Sequence, residues 1–238
     1  MIADMLPPRS KSSDAAGETG YRTKAEWAYL QVRGWIQSGI LEPEERLDQE
    51  ELAARLGISR IPLRQALVKL QSDGLIVSRP HAGATVAPLS LTDAEDIYAA
   101  RAVLEPMLTE AAAATMGEEA IGELRQIVAR QETAGEAGDR LLFLDLDREF
   151  HERLYHGAGY RISLDLVNRL RDLSERYVAL YQGDAQRSQA TLSEHDEILG
   201  HCAARDGAAA AAAMRDHIRH GIEYLRKRAG APGSDISE

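Results

Sequence analysis

The chain has 238 residues, enough for one large domain or two modest domains that each bury their own core. It contains no apolar run near the ~20 residues that span a bilayer, and its single cysteine excludes an internal disulfide. These features exclude a membrane-spanning or disulfide-stapled protein and are typical of a cytoplasmic one. The formal net charge of −10 argues against a uniformly basic surface.

The acidity is concentrated in the C-terminal part. Residues 20–88 carry nine Lys/Arg and eight Asp/Glu, whereas residues 89–238 carry 17 and 27. Contact with a polyanion depends on the charge of one local face, so the N-terminal region remains a candidate for DNA binding. Residues 1–19 lack the apolar core of a secretion signal, and we expect a disordered arm there.

Two helices are predicted near the start of the chain. Apolar residues recur at helical spacing over 22–38, and a shorter helix follows over 49–56. Asp48 is a good N-cap for the second helix, and Gly57 is a typical C-terminal stop. The short helix is therefore expected to end in a tight turn.

A third predicted helix, over 60–72, has two different faces. Ser59 can cap it, and apolar residues from Leu63 to Leu70 recur at i, i+3, i+4 and i+7, which predicts one buried stripe. The side chains of the opposite face are Ile61, Arg64, Gln65 and Lys69, with Arg60 at its edge. An apolar back with a polar front is what the recognition helix of a helix-turn-helix needs in a DNA major groove.

A small β-hairpin is predicted after this helix. Two β-prone runs, 75–78 and 84–87, flank a turn that contains His81 and Gly83. A hairpin in this position is the wing of a winged helix, and Arg79 stands where it would reach DNA. An ordinary hairpin without DNA contact is the alternative.

Six helices are predicted in the C-terminal part. They cover roughly 92–115, 118–137, 140–157, 161–182, 187–205 and 207–229. The pair Thr92 and Glu95 has the spacing of a capping box. Short loops between six helices favour an antiparallel bundle whose interior can hold a ligand. The predicted fold is mostly α, with a winged helix-turn-helix over 20–88, a helical domain over 91–230 and a disordered tail over 231–238.

One carboxylate and three imidazoles lie on three of the bundle helices. Asp147 and His151 are four residues apart and share a helix face, while His195 and His217 lie on the last two helices. Apolar neighbours on each helix indicate that these faces turn inward. Such a donor set suits Zn²⁺ or another first-row divalent ion. A structural or surface role for each histidine is the alternative that the spacing leaves open.

The N-terminal pattern resembles the winged helix of GntR-type repressors. The resemblance rests on Arg46-Leu47, on Glu51-Leu52-Ala53 and on the segment from Ser59 to Leu67. It implies a homodimer on double-stranded operator DNA. The resemblance and the two faces of the predicted helix together identify the candidate DNA-contacting residues. They are Arg46, Ser59, Arg60, Ile61, Arg64, Gln65, Arg79, His81 and Gly83.

Four residues depart from that family pattern. Ile61 stands where Thr is usual and Gln65 where Glu is usual, so the operator sequence is expected to differ. Glu44 replaces a glycine that is common in the turn before Arg46. Ala82 takes a wing-tip position often occupied by Arg, which weakens the expected grip of the wing on the minor groove.

The C-terminal pattern resembles the FadR-type ligand-binding domain, FCD, in its metal-binding form. The matching segments are Arg101-x-x-x-Glu105, Asp147-x-x-x-His151, Glu194-His195 and Met214-x-x-His217. The resemblance implies a divalent ion, Zn²⁺ first and Ni²⁺ or Mn²⁺ as alternatives, held by Asp147, His151, His195 and His217. A small carboxylate would approach that ion. The six-helix count is similar to the shorter, VanR-like branch.

Arg101 is the candidate clamp for the carboxylate, because a guanidinium binds a carboxylate through two parallel hydrogen bonds. A surface pair with Glu105 is the other interpretation of Arg101. The expected function is a ligand-responsive transcription regulator, with repression relieved by a small organic acid. Two alternatives remain: a regulator whose metal is structural and that senses another effector, and a helical metallohydrolase. No HExxH-type base accompanies the histidines, which argues against the hydrolase.

Overall fold

The computed structural model describes residues 23–79, 83–178 and 184–229. The chain divides into two compact units between Pro88 and Leu89. The two units are described separately below.

Some predicted features fall outside the described ranges. They are the arm over 1–19, the wing-tip residues His81 and Ala82, the last residues of the helix expected over 161–182, and the tail over 231–238.

The described part of the N-terminal unit has three helices and one hairpin. The elements are α1 Lys24–Gln37, α2 Gln49–Leu56, α3 Arg60–Ser72, β1 Ile76–Arg79 and β2 Gly83–Val86. The two strands pair antiparallel, with Ile76 opposite Val86 and Arg79 opposite Gly83. Each strand lies within one residue of its predicted run.

Local capping groups determine where α2 and α3 begin and end. The Asp48 side chain accepts hydrogen bonds from the backbone N–H groups of Glu50 and Glu51, at 2.8 and 3.0 Å. Gly57 ends α2 with a left-handed φ of 64°, so both predicted signals are confirmed. Ser59 occupies the N-cap position of α3, but its side chain makes no capping hydrogen bond.

The apolar stripe of α3 lies at the centre of the N-terminal unit. Leu63, Ala66, Leu67 and Leu70 are all buried, as predicted. The helix packs against both α1 and α2. Burial of each leucine contributes about 1.5–3 kcal/mol to stability, so this face remains packed in the core. The opposite face is left at the surface.

Six α-helices make up the described part of the C-terminal unit. They are α4 Leu91–Thr115, α5 Glu118–Glu136, α6 Arg140–Tyr155, α7 Arg161–Val178, α8 Ala185–Ala203 and α9 Gly207–Ala229. Helix α4 packs against α9 and α7, and α5 packs against α6 and α8. The predicted mostly α fold, with a winged helix-turn-helix and a six-helix bundle, is confirmed. In the described ranges no helix has both the length and the apolarity that crossing a bilayer requires.

The start of α4 corrects one predicted cap. The Ser90 side chain accepts a hydrogen bond from the backbone N–H of Asp93 at 3.3 Å, so α4 begins at Leu91. The predicted capping box from Thr92 to Glu95 is wrong by two residues. Ser90 has the extended backbone of an N-cap, with φ −124° and ψ 133°, whereas Thr92 already lies inside the helix.

The core of the C-terminal unit is a continuous apolar cluster. Phe150, Leu154, Ile198 and Met214 are among its buried members. These side chains come from the same helix faces that carry the candidate metal ligands. The ligand-bearing faces therefore turn inward.

Candidate metal centre and DNA-contacting helix

Three histidines from three helices converge inside the C-terminal unit. His151 of α6, His195 of α8 and His217 of α9 offer ring nitrogens that all lie within 4.8 Å of one another. Their ring centroids are 5.1, 5.2 and 5.1 Å apart, and all three residues are buried. Three imidazoles arranged around one point are suited to bind a first-row divalent ion.

The Nδ1 atom of each of the three rings lies within hydrogen-bonding distance of a neighbouring oxygen atom. The pairs are His151 with the Tyr155 hydroxyl at 3.0 Å, His195 with Gln131 Oε1 at 3.1 Å and His217 with Glu194 Oε2 at 2.7 Å. Outer hydrogen bonds of this kind orient a metal-binding ring and determine which nitrogen is left for the ion.

The Nε2 atoms of His151 and His195 are buried and have no hydrogen-bond partner among the described residues. Leaving a buried polar group unsatisfied costs about 1–3 kcal/mol, which a bound ion would recover. Burial lowers the pKa of His195 to about 3 and that of His151 well below its usual value. Both rings are therefore neutral at neutral pH, the form that ligates metal. These residues fit a divalent metal ion.

Asp147 lies beside the histidine cluster. Its Oδ1 is 3.6 Å from His195 Nε2, and its Oδ2 is 4.0 Å from His151 Nε2. Its Oδ2 also accepts a hydrogen bond from Arg171 at 2.9 Å. Burial is the largest influence on the pKa of Asp147 and raises it, but Arg171 and the other neighbouring groups together outweigh burial, so the pKa lies below its usual value. Three of the four predicted ligands converge, and the fourth is adjacent but paired with an arginine.

Arg101 is buried and paired at the same time. Its Nε donates to Glu105 Oε1 at 2.5 Å, and its Nη1 donates to Ser174 Oγ at 2.9 Å. The predicted pair with Glu105 forms, but it lies on an inward face of α4. Arg101 is therefore not part of a surface pair.

A cavity of about 50 Å³ adjoins the histidine cluster. Its lining includes Tyr98, Arg101, Asp147, Arg171, Arg187 and His217. The cavity wall therefore carries three guanidinium groups, which are hydrogen-bond donors suited to a carboxylate, together with the carboxylates of Asp147 and Glu175.

Glu194 connects one candidate ligand to two other groups. Its Oε1 is 2.9 Å from His220 Nδ1, and Arg187 donates to both of its oxygens at 2.8 and 3.1 Å. Burial raises the pKa of Glu194, but hydrogen bonds from His217 and Arg187 outweigh it and lower the pKa to about 2. The ionised carboxylate can thus hold His217 in place. The sequence indicated no role for His220, which makes one of these contacts.

Sequence reasoning missed Arg171, Gln131 and Tyr155 as parts of this site. The helical period was the available signal for Arg171, because it lies four residues after the buried Val167 and three before the buried Ser174. Gln131 and Tyr155 lie on buried faces of α5 and α6, and two of their partners, His195 and Glu105, come from other helices. No local pattern indicates such partners.

The front of α3 is exposed. Ile61 is 74% exposed, and Arg64 and Gln65 also lie at the surface. Arg60 forms an ion pair with Glu50 at 2.7 Å, and both side chains are largely exposed. Exposed pairs of this kind contribute about 0–1 kcal/mol, so Arg60 can exchange Glu50 for a phosphate.

Arg46 lies next to the hairpin. It forms an antiparallel bridge with Thr85, and the backbone N–H of Leu47 donates to the carbonyl of Ala84 at 2.9 Å. The exposed Arg46 side chain is thereby placed beside β2. Gly83 starts β2 with a φ of +81°, a conformation that favours glycine.

Two family models match the chain. One, described as bacterial regulatory proteins of the gntR family, matches residues 24–86, and the other, the FCD domain, matches residues 96–220. The chain belongs to the GntR family. It is a GntR-family regulator with an FCD domain.

Similar sequences carry the names of transcriptional regulators. The Nta operon transcriptional regulator of Aminobacter aminovorans is 32% identical over 185 residues, which cover 77% of this chain and 85% of that protein. The HTH-type transcriptional repressor RspR of Escherichia coli (strain K12) is 27% identical over 199 residues, which cover 84% and 87%. The GntR-family protein is thus a regulator rather than an enzyme, and the metallohydrolase alternative is set aside.

Two solved structures share the fold. The E. coli protein McbR/YncC has a TM-score of 0.78 at 20% identity, covering 85% of this chain and 97% of that one. A GntR regulator from Rhodococcus sp. RHA1 has a TM-score of 0.75 at 18% identity, with the same coverage. At these identities the likeness establishes the fold of the GntR-family protein.

Proposed function

We propose that this GntR-family regulator senses a small organic acid through a divalent metal ion in its C-terminal domain. The observation that carries the proposal is the convergence of three buried imidazoles beside a cavity lined by arginines. In this proposal the DNA-binding domain covers 20–88 and the sensing domain 91–230. The protein acts in the cytoplasm as a homodimer.

The DNA-binding part of the proposal places α3 in a major groove. A dimer presents two such helices to successive grooves of a pseudo-palindromic operator. The exposed front of α3 supplies the contacts to base edges and phosphates. The proposed contact residues are Arg46, Ser59, Arg60, Ile61, Arg64, Gln65, Arg79, His81 and Gly83.

The metal part of the proposal assigns His151, His195 and His217 as ligands, with Asp147 as the fourth. A donor set of three imidazole nitrogens and one carboxylate favours Zn²⁺, with Ni²⁺ or Mn²⁺ as alternatives. When bound, the ion supplies a Lewis-acidic position for a carboxylate oxygen. Arg101 lines the adjoining cavity and neutralises the same carboxylate.

The effector changes DNA binding by shifting a conformational equilibrium. It must bind one of two states more tightly, and a nearly complete shift requires about 5.5 kcal/mol of differential affinity. We propose that the acid weakens DNA binding and so relieves repression, in keeping with the similarity to a named repressor.

The test combines metal analysis with DNA binding. Purified protein is analysed for bound metal, its operator is selected from random duplex DNA, and operator affinity is then measured against a panel of small carboxylates. We expect about one divalent ion per chain and a pseudo-palindromic operator that is released by at least one acid.

Two outcomes would contradict this proposal. Protein that binds its operator but neither retains nor takes up a divalent ion would overturn the metal assignment. If chelation unfolds the C-terminal domain and no carboxylate binds, the metal is structural and the effector belongs to another chemical class.

A further inference from the structure

We infer that Arg171 is an effector-binding residue that exchanges Asp147 for the carboxylate of the organic acid. This inference rests on the proposed function, and it assigns the acid a second guanidinium besides Arg101. The exchange takes place within the cavity beside the histidine cluster, which both arginines line.

Arg171 has an unsatisfied donor inside the protein. The residue is only 4% exposed, and its Nε is buried without a hydrogen-bond partner among the described residues. Its Nη2 donates to Asp147 Oδ2 at 2.9 Å, whereas its Nη1 lies 3.5 Å from Glu105 Oε2, a long contact. A guanidinium offers more donors than these contacts use, and its planar fork matches a carboxylate.

The other two cavity arginines are more fully engaged. Arg101 is held by Glu105 and Ser174, and Arg187 donates to both oxygens of Glu194. Arg171 has one short bond, and that bond goes to a proposed metal ligand. Arg171 is therefore the arginine that would lose its partner, Asp147, if a metal ion bound that carboxylate.

The charges of the cluster indicate why an exchange follows metal binding. Arg101 and Arg171 are balanced by Glu105 and Asp147, so these four side chains are neutral together. A divalent cation adds two positive charges and competes for the Asp147 carboxylate. A buried cation without a counter-charge is strongly unfavourable, so Arg171 requires a new anion in the same cavity. A carboxylate supplies that charge and fits the fork.

The experiment uses Co²⁺ as a spectroscopic metal and malonate and acetate as carboxylate probes. Full-length protein is loaded with Co²⁺, and each probe is titrated while the visible spectrum of the ion is recorded. The variants are Arg171→Met and Arg171→Lys, with Arg169→Met as the matched control, because Arg169 is an exposed arginine on the same helix. Far-UV circular dichroism checks that each variant is folded.

We expect Arg171→Met to bind Co²⁺ at least as tightly as wild type, because Asp147 loses its competing partner. The carboxylate affinity of this variant should fall by about tenfold to a hundredfold, the effect of losing a charged hydrogen bond. Arg171→Lys should recover part of that affinity, since it keeps the charge without the fork. If Arg171→Met fails to fold, the carboxylate affinity of Arg171→Lys is compared with that of wild type, and a lower affinity supports the role of Arg171. Arg169→Met should match wild type.

Equal probe affinity in wild type and both Arg171 variants would overturn the role of Arg171 while leaving the proposed function intact. Loss of Co²⁺ binding in folded Arg171→Met would also overturn it, because Arg171 would then support the metal site rather than the acid. If neither probe changes the spectrum of wild-type protein, the carboxylate effector is wrong and the inference fails with it.

Discussion

Individual side chains of α3 separate folding from recognition. Leu63 and Leu70 are completely buried, whereas Ile61 and Arg64 on the other face remain exposed. Substitutions of exposed residues away from special features usually change stability by less than about 0.5 kcal/mol. A defect in DNA binding at the exposed face can therefore be measured without a defect in folding.

Arg64→Ala is expected to lower operator affinity by about tenfold or more, because a base or phosphate contact contributes about 1–3 kcal/mol. Metal content and thermal stability should not change. A gel-shift titration measures the affinity. The control is Arg169→Ala, which removes an exposed arginine from the C-terminal unit. Unaltered operator affinity in Arg64→Ala would count against a recognition role for this residue.

At the scale of helices, two glycines occupy opposite environments. A Cβ on Gly221 of α9 would lie 2.8 Å from the Tyr98 ring of α4, while a Cβ on Gly200 of α8 would meet nothing within 4 Å. Gly221 thus allows the close approach of α9 to α4, and Tyr98 is buried at that contact and lines the cavity. Gly200 is exposed and has only its helical conformation to maintain.

Gly221→Ala is expected to destabilise the protein by about 1–3 kcal/mol, because the buried Tyr98 ring must shift. Gly200→Ala should instead stabilise it by up to about 1 kcal/mol, the difference in helix propensity between the two residues. Urea unfolding measures both free energies. Effects of the same sign at the two positions would refute the close packing of α9 against Tyr98.

The turn before Arg46 has backbone strain, because a residue other than glycine occupies a left-handed conformation in it. Glu44 has a φ of +65°, a left-handed conformation that disfavours side chains with a Cβ. The departure from the glycine of the family pattern therefore has a local energetic cost. The strain is stored where the chain pairs with β2, since the backbone N–H of Glu44 donates to the carbonyl of Val86 at 3.1 Å.

Glu44→Gly is expected to be more stable than Glu44→Ala by about 1 kcal/mol, because both remove the carboxylate but only glycine adopts this φ without a steric cost. Thermal unfolding of the two variants measures the difference. Identical stabilities would mean that the turn relaxes when its side chain is shortened.

At the scale of the whole molecule, metal binding is expected to be linked to stability. An ion that binds only the folded state stabilises it by about 2.7 kcal/mol when its free concentration is a hundred times the Kd. Zn²⁺ should therefore raise the Tm, and a chelator should reverse the gain. His195→Gln should abolish the response, whereas the control His156→Gln, at an exposed position, should keep it. A Zn²⁺ response that survives in His195→Gln would contradict the assigned site.

Local patterns in the sequence were sufficient for the elements and for the faces of the helices. The predicted bounds of α2 and α3 agree with the structure, and the histidines expected to face inward are buried. Helical periodicity and capping depend on residues only a few positions apart, so a single sequence contains this information. The carboxylate and imidazoles on those faces already indicated a metal site, and the family resemblance strengthened that hypothesis.

Only the tertiary structure decided how the charges around the histidines are paired. Arg171 reaches Asp147 across 24 positions of sequence, and Tyr155 reaches Glu105 across 50. These partners meet because separate helices pack together, and no pattern along one helix records which buried charge a neighbouring helix will supply. The sequence thus determined the helices, their inward faces and the candidate ligands, while packing determined that Asp147 is paired with an arginine.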